Sequence, residues 1–410
     1  MQPDTLFYII ITILILNFII DKALEILNLR GFKESIPEIL SDVYDNKEYQ
    51  KSQAYKKINH RFGLFSSSSS LLLTLIFLFL EGFAWVDNLA RSFSDNNILI
   101  ALIFFGIISI GSDIITSPFS YYKIFVIEEK FGFNKTTKKT FFQDKIKGST
   151  MTVIFGGFML GLIILFYDFT GKHFWLYTWG VISLISLFMN MFYSKLIVPL
   201  FNKQIPLEDG ELKNEITKYT SSVGFKLNNI FIINGSKRST KANAYFTGFG
   251  TQKRVALYDT LLNDLTVEEI VSVLAHEVGH YKRKHIFYNL ITSILLTGIT
   301  LFILSLFINT SILSISLGVS IPSFHISLIA FGILYTPISK ITGLLMNYMS
   351  RRFEYQADNY AKDTFASEPL VSSLKKLSKN SLSNLTPHPL YVFFHYSHPT
   401  LFNRIQNLKQ

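Results

Sequence analysis

Hydrophobic residues in this chain fall into long continuous runs that polar segments separate. Because a membrane-spanning helix needs about 20 predominantly apolar residues, each run of roughly this length is a candidate span. Seven such runs cover residues 5–20, 65–86, 98–117, 152–169, 174–193, 286–308 and 324–346. The first run has no basic segment before it and no small-residue cleavage site after it, so we expect a retained helix and not a signal peptide.

The composition supports placing these runs in a bilayer. Of the 410 residues, 49% are hydrophobic, 17% are charged and 39 are phenylalanine, which is too apolar for an ordinary soluble globule. An insertion at 194–285 contains strand patterns instead: 230–233 predicts one strand, and 242–249 with 254–258 predicts a hairpin that turns at 250–253. The predicted fold class is an all-α polytopic membrane protein with seven transmembrane helices and a cytosolic α+β domain that carries a small β-sheet.

Lysine and arginine are distributed unequally between alternate loops. Segments 21–64 and 118–149 carry eight and seven, whereas 87–97 and 170–173 carry one each. Because basic loops stay in the cytoplasm, we expect the N-terminus outside the cell or in the lumen. The net charge of +10 reflects this bias and an affinity for anionic headgroups. No basic cluster has the aromatic interleaving of a nucleic-acid-binding surface, so we expect the lipid bilayer, and no nucleic acid, as a partner.

These assignments divide the chain into four parts. Residues 1–193 hold transmembrane helices one to five with their cytosolic loops, and 194–285 form a cytosolic insertion. Residues 286–348 hold the last two transmembrane helices, and 349–410 form a cytosolic C-terminal segment. The bias toward Lys, Ile, Asn and Phe and the absence of cysteine favour a bacterial inner membrane; in a eukaryotic cell we expect the endoplasmic reticulum.

The insertion ends in a predicted helix with a recognisable chemical pattern, H-E-V-G-H. His276 and His280 lie four residues apart on one helical face, where both imidazoles reach the same metal ion, and Glu277 lies beside the open coordination position. Thr266 and Glu269 form a predicted capping box that starts the helix. The alternative is a chance pattern on an amphipathic helix, which is expected in about one per cent of chains of this length.

A catalytic site for one zinc ion needs a third protein ligand and an open position for water. The chain has no cysteine, so the ligand is expected to be histidine, aspartate or glutamate. Glu354 is the strongest candidate, because two predicted spans between His280 and Glu354 return the chain to the same side of the membrane. Asp358 is placed to accept the second ring N–H of a ligating histidine. The alternative is that both acids pair with Arg351 or Arg352 at the membrane surface.

Further segments resemble the integral-membrane zinc CAAX prenyl proteases, the type I CAAX endoproteases also called the farnesylated-protein-converting enzyme 1 family. The resemblance rests on F-V-I-E-E-K-F-G-F-N at 125–134, P-L-F-N at 199–202, G-S-K-R-S at 235–239, N-A-Y-F at 243–246, the H-E-V-G-H helix, R-R-F-E-Y-Q-A-D at 351–358, and S-H-P at 397–399 with Arg404. It covers roughly residues 120–405 and is weaker in the first two predicted spans. It implies that the seven helices form a hollow barrel around a water-filled chamber, with the zinc site on its cytoplasmic side.

The resemblance also implies roles for residues that spacing alone leaves open. It implies a substrate-binding strand at Asn243, Ala244 and Tyr245, in which Asn243 contacts the substrate backbone. An edge strand suits this role because an extended peptide adds to it through main-chain hydrogen bonds. The resemblance further implies that His398 and Arg404 help to bind the substrate or its tetrahedral oxyanion.

Two of these roles have structural alternatives. The predicted hairpin at 242–258 is also consistent with a brace that only supports the catalytic helix. His398 shares a short segment with His388 and His395, and any of the three is also consistent with an ordinary surface histidine.

Three further ionisable residues lie in or next to predicted spans. Asp113 and Lys340 are expensive in lipid unless paired or hydrated, so we expect them to face inward, either lining a chamber or forming an ion pair between helices. His285 follows three basic residues at the predicted interface. We expect it to be a structural residue or to lie at the level of the headgroups, and not to be a ligand.

The predicted function is a zinc-dependent endopeptidase that cleaves near the C-terminus of CAAX-type proteins in the membrane, with a peptide or protein substrate whose prenylation the sequence leaves open. Glu277 is the general base that takes a proton from the attacking water, and His398 stabilises the oxyanion. One alternative is a membrane-protein quality-control zinc protease without prenyl specificity. Another, from a different class, is a transporter or receptor that retains a vestigial zinc fold.

Overall fold

Helices dominate the structure, a computed structural model that describes residues 1–31, 36–225, 227, 229–242, 244–247 and 254–410. The α-helices are α1 Pro3–Arg30, α2 Asn46–Phe79, α3 Gly82–Arg91, α4 Asn97–Tyr122, α5 Glu129–Phe131, α6 Lys138–Met151, α7 Gly157–Thr170, α8 Phe174–Leu196, α9 Val198–Phe201, α10 Glu211–Ser222, α11 Asp259–Asp264, α12 Val267–Lys282, α13 His285–Phe307, α14 Ser311–Ile315, α15 Phe324–Thr364, α16 Ser367–Asn380, α17 Pro389–His395 and α18 Leu401–Lys409. The strands are β1 Gln204–Pro206, β2 Asn229–Ile233, β3 Ala244–Thr247 and β4 Arg254–Tyr258. π-Helical turns at Lys123–Glu128 and Thr152–Gly156 join α4 to α5 and α6 to α7.

Six helical segments of the described chain are long and apolar enough to cross a membrane. Five of them contain one predicted span each, and the sixth, Lys138–Phe201, contains two. The helix in this segment breaks at Gly171, whose φ of 52° favours glycine, and α7 and α8 then pack against each other. The prediction of seven spans is therefore confirmed. The predicted end of the second span is wrong, because α2 stops at Phe79 and Glu81 has a left-handed backbone with a φ of 52°.

The spans bury little of their surface against one another. In the most apolar window of each membrane-length segment, only 6% to 22% of the residues are buried. Ile114 on α4, Leu184 on α8 and Ile341 on α15 are 67% to 68% exposed. Lipid covers one face of a membrane helix, but a solid bundle would bury the other face. The low burial agrees with a ring of helices around an open interior, the hollow barrel that the family resemblance implies.

The two charged residues predicted within spans each pair with a neighbouring helix. Asp113 on α4 accepts hydrogen bonds from Lys145 at 3.2 Å and Ser149 at 3.0 Å, both on α6. Lys340 on α15 donates to Asp21 on α1 at 2.7 Å. Both ion pairs are partly exposed, which fits groups that line a hydrated interior.

The strands form one four-stranded sheet in the order β1-β2-β4-β3, so that β1 and β3 are its edges. β2 pairs in parallel with β4, whereas β1 with β2 and β3 with β4 are antiparallel. The predicted strand at 230–233 and the antiparallel pairing of the predicted hairpin are confirmed. The predicted turn at 250–253 lies outside the described residues.

We call residues 194–285 and 349–410 the soluble region, and its hydrophobic core also includes buried residues from segments 40–55 and 127–133. Ile216 on α10, Leu261 on α11 and Leu274 on α12 are at most 1% exposed and belong to one cluster. Burial of each such side chain contributes about 1.5–3 kcal/mol. Nine of the 16 residues of α12 are buried, so the surrounding core fixes the position of this helix. The four-part division of the chain stays a prediction.

The predicted capping box starts α12. The Thr266 hydroxyl accepts a hydrogen bond from the backbone N–H of Glu269, and the Glu269 carboxylate accepts one from the backbone N–H of Thr266 at 2.8 Å. Ser372 and Lys376 on α16 donate to the same carboxylate at 2.6 and 2.8 Å. Burial would raise the pKa of Glu269, but these hydrogen bonds lower it below its usual value. The first turn of α12 is therefore joined to α16 by an ionised carboxylate.

Arg238 connects the soluble region to the membrane helices. Its Nε and Nη2 donate to the two carboxylate oxygens of Asp144 on α6 at 2.6 and 2.9 Å. It also donates to the side chain of Asn202 at 3.0 Å and to the carbonyl of Phe201 at 2.9 Å. Two-point contact between a guanidinium and a carboxylate fixes orientation as well as distance, so this contact defines how the sheet lies against α6 and α9.

Candidate metal centre

The two histidines of the H-E-V-G-H pattern lie one turn apart on α12 and face the same point. Their Nε2 atoms are 3.1 Å apart. Glu277, between them in sequence, lines the same cavity of about 540 Å³. His276 is buried, with 7% of the residue exposed.

Helix α15 brings the third predicted ligand to this point. It is 41 residues long and continues from the last span into the soluble region, where it packs against α12. A Cβ added at Gly279 would lie 3.0 Å from the Cα of Ala357, so glycine permits this close approach. Glu354 on α15 consequently lies with Oε1 at 3.2 Å from His280 Nε2 and Oε2 at 3.5 Å from His276 Nε2.

This arrangement fits a zinc ion. Ligand atoms about 2.0–2.2 Å from a tetrahedral zinc lie roughly 3.3–3.6 Å from one another. Here the two imidazole nitrogens are 3.1 Å apart, and one ligand atom from each of the three residues lies within 4.8 Å of the other two. Among the described residues, Glu354 Oε2 is buried without a hydrogen-bond donor, which is costly for a carboxylate oxygen unless a cation is bound. Two imidazoles and one carboxylate are also the donor set that a catalytic zinc site uses.

Asp358 lies beside the first histidine, as the sequence predicts. Its Oδ1 is 2.9 Å from His276 Nδ1, so it accepts the ring N–H and leaves Nε2 for a metal. Arg404 donates to the same carboxylate from Nε at 2.9 Å and Nη2 at 2.5 Å. Its Nη1 is also 3.5 Å from Glu354 Oε2. The positive charge of Arg404 therefore offsets the negative charges of Asp358 and Glu354. The geometry favours a positioning role, and a substrate contact from Arg404 stays a prediction.

Protonation of His276 responds to these neighbours. Burial disfavours the imidazolium, but the contact with Asp358 and the Glu354 carboxylate beside the ring outweigh burial and raise the pKa of His276 to about 9. In the metal-free protein at neutral pH, His276 is therefore an imidazolium that carries a proton on Nε2 as well as on Nδ1. A metal ion must displace the Nε2 proton, so metal binding is coupled to proton release.

His285 contacts the second histidine, a contact that the sequence analysis did not foresee. It is 1% exposed, with Nδ1 at 3.0 Å from His280 Nδ1 and Nε2 at 2.8 Å from Gln356 Oε1. Its ring stacks on Phe353 with centroids 4.2 Å apart. This burial agrees with the structural role expected for His285, and its level relative to the headgroups stays a prediction. No spacing rule signals this contact, because it depends on how α15 packs against the start of α13.

His398 lines the cavity, whereas the other two candidate histidines do not. Its Nε2 is 3.4 Å from Glu354 Oε1 and its side chain is 62% exposed, while Ser397 Oγ lies 3.0 Å from its Nδ1. His388 instead accepts a hydrogen bond from the backbone N–H of Leu390 and caps α17. Of the three histidines, the geometry favours His398 as the one available to a substrate.

The predicted substrate strand lies next to this cavity. Ala242 lines the cavity with the H-E-V-G-H residues. β3 begins two residues later and pairs with β4, and no other described strand pairs with it. Asn243 lies outside the described residues, and Ala244 and Tyr245 are described by their backbone pairing. Lys241 fixes the approach to β3, because its Nζ is 3.0 Å from Glu128 Oε2.

Comparisons with known proteins cover nearly the whole length of the chain. A family model described as the CAAX prenyl protease N-terminal region with five membrane helices matches residues 25–203. The model of peptidase family M48 matches residues 206–410. The two matches divide the chain close to the start of β1.

Individual relatives agree with the family models. The CAAX prenyl protease 1 homolog of Oryza sativa subsp. japonica is 35% identical over 409 residues, covering 98% of this chain and 96% of that protein. CAAX prenyl protease 1 of Saccharomyces cerevisiae is 36% identical over 399 residues, covering 91% and 88%. The crystal structure of S. mikatae Ste24p matches 98% of both chains with a TM-score of 0.93 at 35% identity.

Proposed function

This chain belongs to the CAAX prenyl proteases of peptidase family M48, and from that premise we propose that it cleaves prenylated CAAX-type proteins near their C-terminus. It is a zinc metalloendopeptidase and a multi-pass membrane protein. One zinc ion, held by His276, His280 and Glu354, is the proposed cofactor. The observation that carries the proposal is the convergence of these three side chains at zinc-ligand spacing beside Glu277.

The substrate peptide is proposed to bind as an added strand. β3 is an edge strand whose second side carries no strand partner among the described residues. An extended peptide paired with β3 gains main-chain hydrogen bonds without a requirement for particular side chains. Asn243, Ala244 and Tyr245 are the proposed contacts, and Ala242 at the cavity wall puts the peptide beside the metal ligands.

Zinc in this position supplies a Lewis acid that lowers the pKa of water and polarises the scissile carbonyl. Glu277 acts as the general base: its carboxylate takes the proton of the attacking water and gives it to the nitrogen of the leaving amine when the C–N bond breaks. Asp358 keeps the Nδ1 proton of His276 in place. The reaction adds one water molecule to the peptide bond and requires no other reactant.

His398 is the proposed stabiliser of the oxyanion. The Ser397 hydroxyl beside its Nδ1 is placed to donate to that nitrogen, which leaves the Nε2 proton free to donate into the cavity. A donor aimed at the position where negative charge develops lowers the barrier by more than it stabilises the ground state. Exposure of the side chain leaves space for a substrate carbonyl next to it.

The orientation proposed from the basic residues puts the N-terminus outside and the metal centre in the cytoplasm. The cavity meets the first turn of α13 at Ile286 and Asn289, so a scissile bond bound there lies within reach of the membrane. A substrate anchored by a prenyl chain would keep this part of its C-terminus at the same depth. A bacterial inner membrane stays a prediction from composition.

Cleavage of a prenylated peptide tests the proposal. The purified protein in detergent is expected to cleave a farnesylated CAAX peptide and to cleave the unprenylated peptide at least about tenfold more slowly. A chelator should stop cleavage and added zinc should restore it. Glu277→Gln should retain zinc but lose activity by a factor of about 10²–10⁴. Equal cleavage of both peptides would favour the quality-control alternative, and full activity of Glu277→Gln would overturn the mechanism.

A further inference from the structure

Three residues from three helices form an unbroken hydrogen-bonded chain that ends at the metal centre. Gln356 on α15 presents Oε1 to His285 Nε2 at 2.8 Å, and His285 Nδ1 lies 3.0 Å from His280 Nδ1. His285 is the first residue of α13 and follows Lys284, whose φ of 60° turns the chain sharply after α12. Stacking on Phe353 at an interplanar angle of 11° fixes the plane of the His285 ring.

The direction of the hydrogen bonds in this chain follows from the chemistry of its ends. Gln356 Oε1 is an acceptor, so His285 carries its proton on Nε2 and, as a neutral imidazole, has a lone pair on Nδ1. His280 must then donate from Nδ1, which leaves the lone pair of His280 Nε2 directed at the metal position. The opposite direction would put a proton on His280 Nε2, 3.1 Å from His276 Nε2, where no metal ion can bind.

We propose that Gln356 and His285 act as positioning residues that select the metal-binding tautomer of His280. The inference rests on the proposed function and deepens it, since it assigns a role to two residues that are not proposed metal ligands. The two histidine ligands are then oriented differently. His276 is held by a carboxylate that Arg404 neutralises, whereas His280 is held by a neutral imidazole and a neutral amide.

We call the hydrogen-bonded chain from Gln356 through His285 to His280 the relay. The relay also connects the membrane helix α13 directly to the metal centre. His285 begins α13, and its ring contacts both a ligand on α12 and a residue two positions after the ligand on α15. A shift of the first turn of α13 would therefore move the acceptor away from His280 Nδ1. The position of this span is thus coupled to the tautomer of a metal ligand.

A matched pair of substitutions separates the hydrogen bond from the packing. His285→Phe keeps an aromatic ring for stacking on Phe353 but removes the acceptor, and His285→Asn keeps an acceptor close to the position of Nδ1. Zinc affinity is expected to fall about 10–100-fold in His285→Phe and to recover at least in part in His285→Asn. With cobalt(II) as the probe, the visible absorption of His285→Phe should differ from wild type, and that of His285→Asn should be closer to it.

Gln356 tests the direction of the relay. Gln356→Glu keeps an acceptor facing His285 and is expected to bind zinc nearly as tightly as wild type, whereas Gln356→Leu should bind it more weakly. If Gln356→Glu weakens zinc binding as much as Gln356→Leu does, the assigned direction is wrong. These variants keep the test informative even if His285→Phe fails to fold.

The outcomes distinguish this inference from the proposed function. A wild-type protein that binds no zinc would contradict the proposed function itself. A wild-type protein that binds zinc and cleaves peptide, together with His285→Phe that has unchanged zinc affinity and an unchanged cobalt spectrum, would overturn only the relay. Melting temperatures of the metal-free variants within about 2 °C of wild type would show that the fold is intact.

Discussion

The soluble region and the membrane spans of this protein are built from similar apolar residues but are stabilised differently. In α12, nine of 16 residues are buried by the protein itself. In the membrane-length segments, the share of the most apolar window that is buried is between 6% and 22%. The exposed fraction of Leu274 on α12 is 1%, whereas that of Leu184 on α8 is 68%.

This difference shows which part of the molecule can hold a metal site with fixed geometry. Zinc ligands must stay within a few tenths of an ångström of their positions, and a close-packed core resists such displacement. The spans form a thin wall between lipid and an open interior. Accordingly, all three proposed ligands lie on helix segments that pack within the soluble region. Glu354 lies on the part of α15 that follows its membrane span.

Removal of a ligand is expected to have the largest effect and to disturb the soluble region but not the spans. Glu354→Ala should lose bound zinc and about 10³-fold or more of activity, because two imidazoles alone do not retain a catalytic zinc. Metal content by mass spectrometry and peptide cleavage measure both effects. The helical content of the spans should not change.

Glu268→Ala is the matched control for this prediction. Glu268 is exposed in the first turn of α12 and lies outside the metal cavity. It should keep zinc and activity. If Glu354→Ala keeps stoichiometric zinc, the proposed ligand set is wrong.

Truncation of Leu274 and of Leu184 to alanine compares the packing of the soluble region with that of the spans. Leu274→Ala should destabilise the protein by about 2–5 kcal/mol, because it leaves a cavity in a packed core. Leu184→Ala should change stability by less than about 0.5 kcal/mol, because few protein atoms surround that side chain. Melting temperature in one fixed detergent compares the variants. Similar losses for both would mean that the spans are packed as tightly as the soluble region.

Arg238 tests how strongly the two regions are coupled. Arg238→Ala removes the two-point contact with Asp144 and is expected to cost about 1–2 kcal/mol, since hydrogen bonds to charged groups contribute more than neutral ones. Unfolding of the soluble region should then begin at a lower temperature than loss of the spans. Lys237→Ala, at the exposed neighbouring position, should leave unfolding unchanged, and a single shared transition in Arg238→Ala would contradict the expected uncoupling.

Proton release couples zinc binding in the soluble region to pH. Because the pKa of His276 is raised to about 9, the imidazolium stabilises the metal-free fold below about pH 6.5, and this contribution is lost as the pH rises through about 9. Zinc binding between about pH 7 and 9 should release one proton from this group, and zinc affinity should rise about tenfold per pH unit. Calorimetry in buffers of different ionisation enthalpy measures the proton. His276→Gln should abolish the release, whereas wild-type binding without release would show that His276 is neutral before the metal binds.

The sequence predicted the parts of the fold that follow from local patterns. Runs of apolar residues identified the spans, the Thr266 and Glu269 pair identified the start of α12, and helical spacing put His276 and His280 on one face. Glu354 was found because a pair of spans returns the chain to its starting side. These inferences need only periodicity, length and topology.

Other features depend on tertiary packing and had no local signal. The contact of His285 with His280 arises from the turn at Lys284 and the stacking on Phe353, and neither is encoded by a spacing rule. The end of the second span was misplaced because hydropathy does not register the helix break at Glu81. Which partners neutralise Asp113 and Lys340 likewise depends on how α6 and α1 pack against the spans that carry them.

Anomalous X-ray scattering at the zinc absorption edge would locate the metal ion and its ligands. Crystals of the zinc-loaded protein should give one strong anomalous peak, about 2.0–2.2 Å from His276 Nε2, His280 Nε2 and a carboxylate oxygen of Glu354. A zinc peak elsewhere in the molecule, or one that His276 and His280 contact while Glu354 points away, would show that the proposed ligand set is wrong.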